Sequence, residues 1–240
     1  MKTAIITGAN GGLGVALSKC FAERGYKVIA TVRDMNKSTS LDDLINSGAN
    51  VEKAELDVSS DSSIESFLNL FFSNHSDLDV LINNAGINSK SNGEFMPQSS
   101  LRLGSLERES LNHIIDVNCT GPLLLTQGLI HRLQTGNAAC VINISSWLGS
   151  IGKKTGGGNY GYCGSKSLVN MFTRALAFDL QEYGVRVFAV NPGWMRTKMG
   201  GVNATLNPED SAEGILKIAT DLPVEETGGF FNHDGSKHEW

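Results

Sequence analysis

The sequence has little of what several classes of protein require. Its four cysteines include no Cys-x-x-Cys pair and are too few for a secreted disulfide framework, so we expect free thiols in a reducing compartment. The five histidines show no metal-ligand spacing, and we therefore predict no metal site. These shortages argue against a disulfide-stabilised secreted protein and against a metalloprotein.

Long apolar runs and positive charge are also scarce. No segment approaches the length of a membrane span, and the first residues form too short an apolar run for a signal peptide, so we expect a cytoplasmic chain. The formal net charge is -5, and only 19% of the residues are charged. Nucleic acids and anionic membranes need basic patches, so we predict neither as a partner. The negative net charge does not exclude small anionic ligands, because backbone N–H groups can bind them.

What the chain does have is an alternation of short apolar segments with amphipathic ones. We predict strands at 4–7, 27–32, 51–56, 78–82, 139–144 and 185–190, and a last short strand at 228–231. Strands that are apolar throughout and separated by helices predict a parallel sheet covered on both faces. The fold class is therefore α/β: a doubly wound, Rossmann-like sheet in a single domain over residues 1–240. Irregular stretches at 88–105 and 152–159 follow strand ends, where such sheets bind ligands; whether they are functional or tolerated insertions stays open.

Several helix boundaries and faces follow from local signals. Gly25 and Gly184 are expected to end helices, and Ser62 with Glu65 matches a capping box. The stretch 106–133 predicts a long helix that is kinked near Gly121-Pro122. The stretch 162–183 predicts a helix whose inward stripe contains Leu168, Met171, Phe172, Ala175 and Leu176.

A glycine-rich turn joins the first strand to the first helix, where residues 7–14 read Thr-Gly-Ala-Asn-Gly-Gly-Leu-Gly. Glycines there let the chain turn tightly and let a pyrophosphate approach the helix N-terminus. The loop fits both Thr-Gly-x-x-x-Gly-x-Gly and Thr-Gly-x-x-Gly-x-x-Gly, and the loop alone does not decide between these two spacings. It predicts a dinucleotide site contacted by Gly8, Asn10, Gly11, Gly12, Leu13 and Gly14.

Tyr162 and Lys166 lie four residues apart on a predicted helix and therefore share a face. A phenol is un-ionised at neutral pH, and we expect an ammonium one turn away to lower its pKa. Such a pair can exchange a proton with an alcohol or a carbonyl. Tyr160 has no lysine four residues later, so we choose Tyr162.

The motifs, taken in order, resemble the classical short-chain dehydrogenase/reductase family. Besides the glycine loop they comprise Asn-Asn-Ala-Gly at 83–86, Ser-Ser at 145–146, Tyr-x-x-x-Lys at 162–166 and Pro-Gly at 192–193. The stretch 191–201 and the end of the chain resemble the C-factor/sniffer-like carbonyl reductase branch. The resemblance implies a seven-stranded dinucleotide-binding catalytic domain that reduces an aldehyde or ketone to an alcohol, with Tyr162 as the proton donor.

The same resemblance assigns further roles. Ser146, preferred over Ser145 as the second of its pair, would hydrogen-bond the substrate oxygen. Asn118 would hold a water that relays protons toward Lys166. Sixteen positions separate Ser146 from Tyr162, more than the family usually shows, which puts the substrate rim in question rather than the chemistry. The remaining cofactor contacts would come from Asp57, Val58, Asn84, Ala85, Gly86, Pro192, Gly193 and Thr197, together with Tyr162 and Lys166.

The end of the second strand predicts NADP(H) rather than NAD(H) as the cofactor. Val32 occupies the position where NAD users carry a carboxylate for the ribose 2′-hydroxyl, and it cannot accept a hydrogen bond. The next residue, Arg33, can hold a 2′-phosphate in bidentate fashion. Asp34 follows and could pair with Arg33 or repel the phosphate, and the glycine loop carries no basic residue of its own.

Substrate and assembly are less defined. The loops expected to line the substrate site contain Phe95, Met96, Leu101, Leu103 and Trp194, so we expect a small apolar carbonyl or alcohol. The family often forms homodimers or homotetramers, and the sequence does not choose between them. Two alternatives stand beside the carbonyl reductase: a non-catalytic dinucleotide-binding signalling protein of the C-factor type, and an epimerase or dehydratase, which the chain length and Asn-Asn-Ala-Gly disfavour.

Overall fold

The computed structural model describes residues 1–88, 101–136 and 138–240. Seven parallel strands form one sheet in the order β3-β2-β1-β4-β5-β6-β7. The strands are β1 (Thr3–Ile6), β2 (Lys27–Val32), β3 (Val51–Glu55), β4 (Val80–Asn83), β5 (Cys140–Ile144), β6 (Arg186–Asn191) and β7 (Phe230–Asn232). The strand order changes direction between β1 and β4, which confirms the predicted doubly wound fold.

Helices cover both faces of the sheet. They are α1 (Gly12–Glu23), α2 (Thr39–Asn46), α3 (Asp61–Asn74), α4 (Arg108–Ile115), α5 (Gly121–Thr135), α6 (Tyr160–Asp179) and α7 (Pro208–Asp221). One apolar layer joins α1, α2 and α7 to the sheet, and the other joins α3, α5 and α6 to its opposite face. Successive strand residues point to opposite layers, as the pleat requires: Ile5 belongs to the second layer and Ile6 to the first.

The edge strand β3 departs from the prediction that every strand is apolar throughout. Val51 and Ala54 are buried, but Glu52 and Glu55 are exposed. The reason is the position of β3 at the end of the sheet, where its faces are only partly covered. β1, β4, β5 and β6 are buried along their whole length, as predicted.

Helix ends were predicted with mixed success. Gly25, with φ 83°, follows the last turn of α1, and Gly184, with φ 67°, ends the turn after α6, so both predictions are confirmed. The capping box at Ser62 is wrong. α3 begins at Asp61, and its N-cap is Ser60, whose side chain accepts a hydrogen bond from the Ser63 N–H at 3.3 Å.

The buried stripe of α6 also differs from the prediction. The helix starts two residues earlier than expected and ends at Asp179, and Met171 is 64% exposed while Ala175 is exposed as well. Asn170 and Thr173 lie inside instead, because each has a hydrogen-bond partner there, on Ser145 and Asn143. Apolarity alone therefore misidentifies the inward face of a helix that buries satisfied polar groups.

We expected one long helix over 106–133 with a kink near Gly121-Pro122. In the structure the helix is interrupted just before these two residues. Residues 116–120 form one turn of π-helix, in which the Gly121 N–H donates to the Asp116 carbonyl five residues earlier. Pro122 lies in the first turn of α5, where a missing N–H costs no intrahelical bond. The interruption is therefore a π-turn, and the proline is well placed at the start of the next helix.

Candidate active site

The predicted site residues lie at the carboxyl edge of the sheet. The glycine loop follows β1, residues 84–86 follow β4, Ser146 follows β5 and residues 192–193 follow β6. Tyr162 and Lys166 lie in the first turns of α6, which packs against β6 and against the turn at 147–149. The topology thus brings together motifs that are as much as 185 positions apart, between Gly8 and Gly193.

Thr7 and Asn84 join the first two of these loops. The Thr7 hydroxyl oxygen accepts from the Asn84 and Ala85 N–H groups at 3.0 and 2.9 Å, and the Asn84 amide donates to the Thr7 and Gly8 carbonyls at 2.8 and 3.2 Å. Thr7 was not among the predicted site residues, although it is the first residue of the glycine motif. Asn84, predicted as a cofactor contact, holds the glycine loop in shape.

The four glycines of the loop have different tasks. A Cβ on Gly8 (φ 65°) would lie 2.8 Å from the Ala85 Cα, and one on Gly14 would collide with the Gly8 carbonyl, so both positions require close packing. A Cβ on Gly11 would meet nothing within 4 Å, and Gly12 (φ 52°) faces Thr197. The first turn of α1 holds no acidic side chain. The open side of the loop, at Gly11, therefore fits an anionic group at a helix N-terminus.

The end of β2 presents one arginine to solvent. Val32 is buried and Arg33 is exposed. Asp34 pairs with Lys37, at 3.0 Å between Oδ2 and Nζ, and accepts from the Asn36 N–H at 2.9 Å. The Asn36 N–H and Lys37 hold the pKa of Asp34 below its usual value. Asp34 therefore forms an ion pair with Lys37 in this structure, and not with Arg33 as one alternative had it.

The neighbouring turn after β3 carries Asp57 and Val58. The Asp57 carboxylate accepts from the N–H and the hydroxyl of Ser59, at 2.9 and 2.6 Å, and so forms a tight turn. Val58 is buried, and the start of α5 packs directly on its carbonyl: a Cβ on Gly121 would collide with that oxygen. The Asp57–Val58 turn, which was predicted to contact the cofactor, thus packs closely against the start of α5.

Tyr162 and Lys166 are both desolvated at the centre of the site. Burial raises the pKa of the Tyr162 phenol to about 12, while a hydrogen bond from Ser146 acts in the opposite direction. Burial lowers the pKa of Lys166 to about 8, and its ammonium donates to the Ile144 carbonyl at 2.6 Å. The expectation that Lys166 lowers the pKa of Tyr162 is therefore wrong here, because desolvation dominates and the ammonium is directed at a carbonyl, 5.7 Å from the phenol ring centre.

The two serines after β5 face different partners. Ser146 hydrogen-bonds Tyr162, and its hydroxyl oxygen also accepts from the Leu148 N–H at 3.2 Å. Ser145 is buried and donates to the Asn170 side-chain oxygen at 2.6 Å. The geometry therefore places Ser146 beside the phenol and assigns Ser145 to the packing of β5 on α6.

Asn118 is the middle residue of the π-turn and is buried. Its side-chain oxygen accepts from the Ile87 N–H at 2.8 Å, and its amide donates to the Ile87 carbonyl and to Ser165 Oγ, both at 2.9 Å. Ser165 in turn donates to the Tyr162 carbonyl at 2.8 Å. Sequence reasoning missed Ser165, although a serine three residues after Tyr162 is spaced for such a bond to the helix backbone.

Gly86 leaves room for this group. A Cβ there would lie 3.2 Å from Asn118 Oδ1 and 3.7 Å from Lys166 Nζ. The predicted site residues Asn118, Ser146, Tyr162 and Lys166 are thus assembled around the ends of β4 and β5. Their predicted roles in chemistry remain predictions.

Several large apolar side chains in the loops near these residues, and at the start of α6, are exposed. Trp147 and Trp194 are 50% and 52% exposed, and Leu103, Ile151 and Tyr160 are exposed as well. Residues 151–157 are all exposed, so the extra length between Ser146 and Tyr162 projects outward without displacing either residue. Most of the predicted loop 88–105, including Phe95 and Met96, lies outside the described residues.

Two further expectations concern absences within the described ranges. In residues 1–88, 101–136 and 138–240, no group of three or more His, Cys, Asp or Glu side chains could hold a metal ion. Among the helices of those same ranges, none is long and apolar enough to cross a bilayer. All four cysteines are free thiols.

Comparison with known proteins identifies the family. Residues 2–206 match the family model described as short chain dehydrogenase. The C-signal of Myxococcus xanthus is 34% identical over 163 residues, which are 68% of this chain and 93% of that protein. The carbonyl reductase Sniffer of D. melanogaster superposes with a TM-score of 0.89 at 29% identity over all of both chains. The NADPH-bound carbonyl reductase from chicken fatty liver superposes with a TM-score of 0.88 at 28% identity, over 100% of this chain and 99% of that one. The chain is therefore an oxidoreductase of the short-chain dehydrogenase/reductase family and belongs to its C-factor/sniffer-like carbonyl reductase branch.

Proposed function

We propose that this protein reduces an aldehyde or ketone to an alcohol with NADP(H), and that Tyr162 donates the proton. One observation carries the proposal: a protonated phenol, a serine hydroxyl and a buried lysine meet at the carboxyl edge of a dinucleotide fold. With a pKa of about 12, Tyr162 is the acid form at any physiological pH. A neutral phenol that is hydrogen-bonded to Ser146 suits reduction, in which the substrate oxygen must receive a proton.

The side chains divide the work as follows. Ser146 binds and orients the substrate oxygen and stabilises the negative charge that develops on it. Tyr162 hands its proton to that oxygen, and Lys166, whose pKa burial lowers to about 8, is suited to supply the next proton. Asn118, fixed by Ile87 and Ser165, keeps the π-turn in place beside Lys166 and Gly86. Reprotonation of Tyr162 would then pass by way of Lys166.

The glycine loop fits a dinucleotide. Its open side at Gly11 would hold the pyrophosphate, with Asn10, Gly12 and Leu13 beside it, and Pro192, Gly193 and Thr197 would border the nicotinamide end. Arg33 would bind the 2′-phosphate, and the similarity to an NADPH-bound carbonyl reductase supports that choice. A nicotinamide dinucleotide, when bound, supplies the hydride.

The rim of the site favours an apolar substrate. Trp147 and Trp194 each lie three residues after the end of a strand, β5 and β6, and are half exposed, so a ligand at this edge of the sheet could cover both. The free thiols agree with a cytoplasmic location. For the assembly, the homodimer or homotetramer expected from the family stays a proposal.

A second candidate is a dinucleotide-binding signalling protein that does not turn over. The 34% identity to C-signal favours it. The buried Ser146 and Lys166 and the partly buried Tyr162 argue for catalysis, because binding alone gives no reason to desolvate a lysine beside a phenol.

One experiment separates the two candidates. The purified protein is incubated with NADPH and a panel of aromatic and aliphatic aldehydes and ketones, and NADPH oxidation is followed. The carbonyl reductase predicts saturable oxidation that requires a carbonyl and is fastest with apolar members. Tight NADPH binding without oxidation across the panel would instead support the signalling protein.

A further inference from the structure

Asn10 and Gly11 form an Asn-Gly pair inside the glycine loop, and this pair is less restrained than the residues on either side of it. Ala9 is fully buried, and its N–H donates to the Thr31 carbonyl at 2.8 Å. From Gly12 onward the backbone is helical. Asn10 itself is exposed, and a Cβ on Gly11 would meet nothing within 4 Å. The pair is therefore an open stretch between two fixed ones.

The two groups of this pair that can react with each other are not held by hydrogen bonds. Among the residues that the structure describes, none bonds the Asn10 side chain or the Gly11 N–H. Asn84, which faces the same loop, is the contrast. Its amide donates to two loop carbonyls, and the N–H that follows it is bonded to the Thr7 hydroxyl. Asn84 is thus locked, whereas Asn10 is free to turn toward the nitrogen of the next residue.

An asparagine that precedes a glycine in an open loop can deamidate without an enzyme. The Gly11 nitrogen attacks the side-chain carbonyl carbon of Asn10, a new C–N bond forms, and the side-chain nitrogen leaves as ammonia. Water then opens the resulting succinimide ring at either carbonyl and gives aspartate or isoaspartate. Asparagine is thermolabile for this reason. Glycine favours the reaction, because it has no side chain to shield the nitrogen and its backbone adopts the required geometry easily.

Deamidation here adds a negative charge at the N-terminus of α1. The first turn of this helix has no acidic side chain, and the open side of the loop at Gly11 fits an anion. A carboxylate at residue 10 would itself interact with the positive end of the helix. It would also repel a pyrophosphate that approaches the same helix end.

We propose that Asn10 is a site of spontaneous deamidation, and that its conversion to aspartate or isoaspartate lowers the affinity of the protein for its dinucleotide. The modification follows from the Asn10–Gly11 pair alone, whereas its effect on NADPH rests on the proposed function. A bound pyrophosphate would restrain the loop and cover the reacting nitrogen. The cofactor-free protein should therefore age faster than the protein that is saturated with NADPH.

The first experiment follows the modification itself. Full-length protein is incubated without cofactor at mildly alkaline pH, and samples taken over time are digested with trypsin and analysed by mass spectrometry. Cleavage after Lys2 and Lys19 releases a peptide, 3–19, in which Asn10 is the only asparagine. This peptide should convert progressively to its aspartate and isoaspartate forms, relative to the sample taken at the start.

The same digest contains an internal control. Peptide 38–53 holds Asn46, which lies in α2, and Asn50, whose amide donates to the Tyr26 carbonyl. Neither is followed by glycine, so peptide 38–53 should keep its amides while peptide 3–19 loses its own.

Two variants separate the reaction from its consequence. Gly11→Val shields the nitrogen at a position whose φ of 171° is extended backbone, and its peptide should resist ageing whatever its initial NADPH affinity. Asn10→Asp carries one of the two products from the start. It should bind NADPH about ten- to a hundredfold more weakly than the fresh unmodified protein, with no loss of thermal stability. Asn69→Asp, which adds the same charge on an exposed position of α3, is the control and should bind NADPH normally.

Protection by cofactor is the last measurement. NADPH at about 100 times its Kd should slow the conversion of peptide 3–19 by about ten- to a hundredfold, because little unbound protein remains. If peptide 3–19 of the cofactor-free protein ages no faster than peptide 38–53, or if Gly11→Val ages equally fast, the modification site is wrong. Equal NADPH affinity of Asn10→Asp and Asn69→Asp would overturn the effect on binding. If the unmodified protein does not bind NADPH, the proposed function is wrong, and ageing that Gly11→Val prevents would still support the modification site.

Discussion

The two halves of the sheet contribute to the site in different ways. In the half formed by β1, β2 and β3, which we call the nucleotide half, backbone groups of a glycine loop and one exposed arginine face the site. In the half formed by β4, β5 and β6 with α6, which we call the chemical half, the site consists of buried polar side chains with internal partners. Asn118, Ser146 and Lys166 are all buried, whereas Arg33 is not.

Substitutions in the two halves should therefore have different effects on affinity, rate and stability. Water weakens contacts in the nucleotide half, so changes there should alter affinity by moderate factors. Desolvation shifts pKa values in the chemical half, and removing one group leaves its buried partner unsatisfied. Changes in the chemical half should therefore affect rate and stability strongly.

The largest effect is expected at Tyr162. Tyr162→Phe keeps the ring packed and removes the only proton that the phenol can donate, so kcat should fall by about 10²–10⁴ with NADPH binding almost unchanged. Steady-state reduction and a binding titration measure the two quantities. Tyr160→Phe, two residues earlier and exposed, is the control and should keep its activity. A Tyr162→Phe protein with more than about a tenth of the normal kcat would remove Tyr162 from its role.

The serine pair should show the contrast within the chemical half itself. Ser146→Ala should lower kcat by about 10²–10³, because a hydrogen bond to developing charge is lost. Ser145→Ala should leave kcat much less changed but destabilise the fold by about 1–3 kcal/mol, since the Asn170 oxygen loses its donor. Kinetics and denaturant titration of both variants distinguish the roles, and a larger rate loss from Ser145→Ala would reverse the assignment.

Lys166 should make stability depend on pH. Its pKa is about 8 in the folded protein and near 10.5 when exposed, so the unfolded chain binds more protons between these values. The unfolding free energy relative to Lys166→Met should therefore rise between pH 8 and 10.5, by up to about 3 kcal/mol, and level off below pH 8, where Lys166 is protonated in both the folded and the unfolded state. Lys217→Met, at an exposed position on α7, serves as the control. A flat difference over that range would mean that Lys166 is not desolvated.

Arg33 should show the moderate effect expected of the nucleotide half. Arg33→Ala should weaken NADPH binding by about ten- to a hundredfold and leave NADH almost unchanged, because a charge-assisted contact contributes about 1.5–3 kcal/mol. Arg24→Ala removes an exposed arginine that pairs with Glu213 on another surface, and it should change neither cofactor. Equal KM values for NADH and NADPH in the unmodified protein would contradict the assignment before any variant is made.

Sequence reasoning predicted the framework better than the directions of side chains. Glycine and hydrophobic patterns located the seven strands, the helix-ending Gly25 and the grouping of Tyr162 with Lys166, because these follow from local backbone geometry and period. The π-turn at 116–120, the buried Asn170 and the Ser60 cap were missed, since each depends on a partner far away in sequence or on a competing local choice. The pKa of Tyr162 was predicted in the wrong direction because desolvation is a property of the packed site and not of the spacing from Lys166.

One contact connects the two halves mechanically. The first turn of α5 rests with its Gly121 backbone directly on the Val58 carbonyl, so the helix that follows the Asn118 π-turn packs against the Asp57–Val58 turn. A single added methyl at Gly121 has no flexible side chain to displace and must move one backbone or the other. We therefore expect a displacement of the Asp57–Val58 turn to shift the start of α5, and with it the π-turn that carries Asn118.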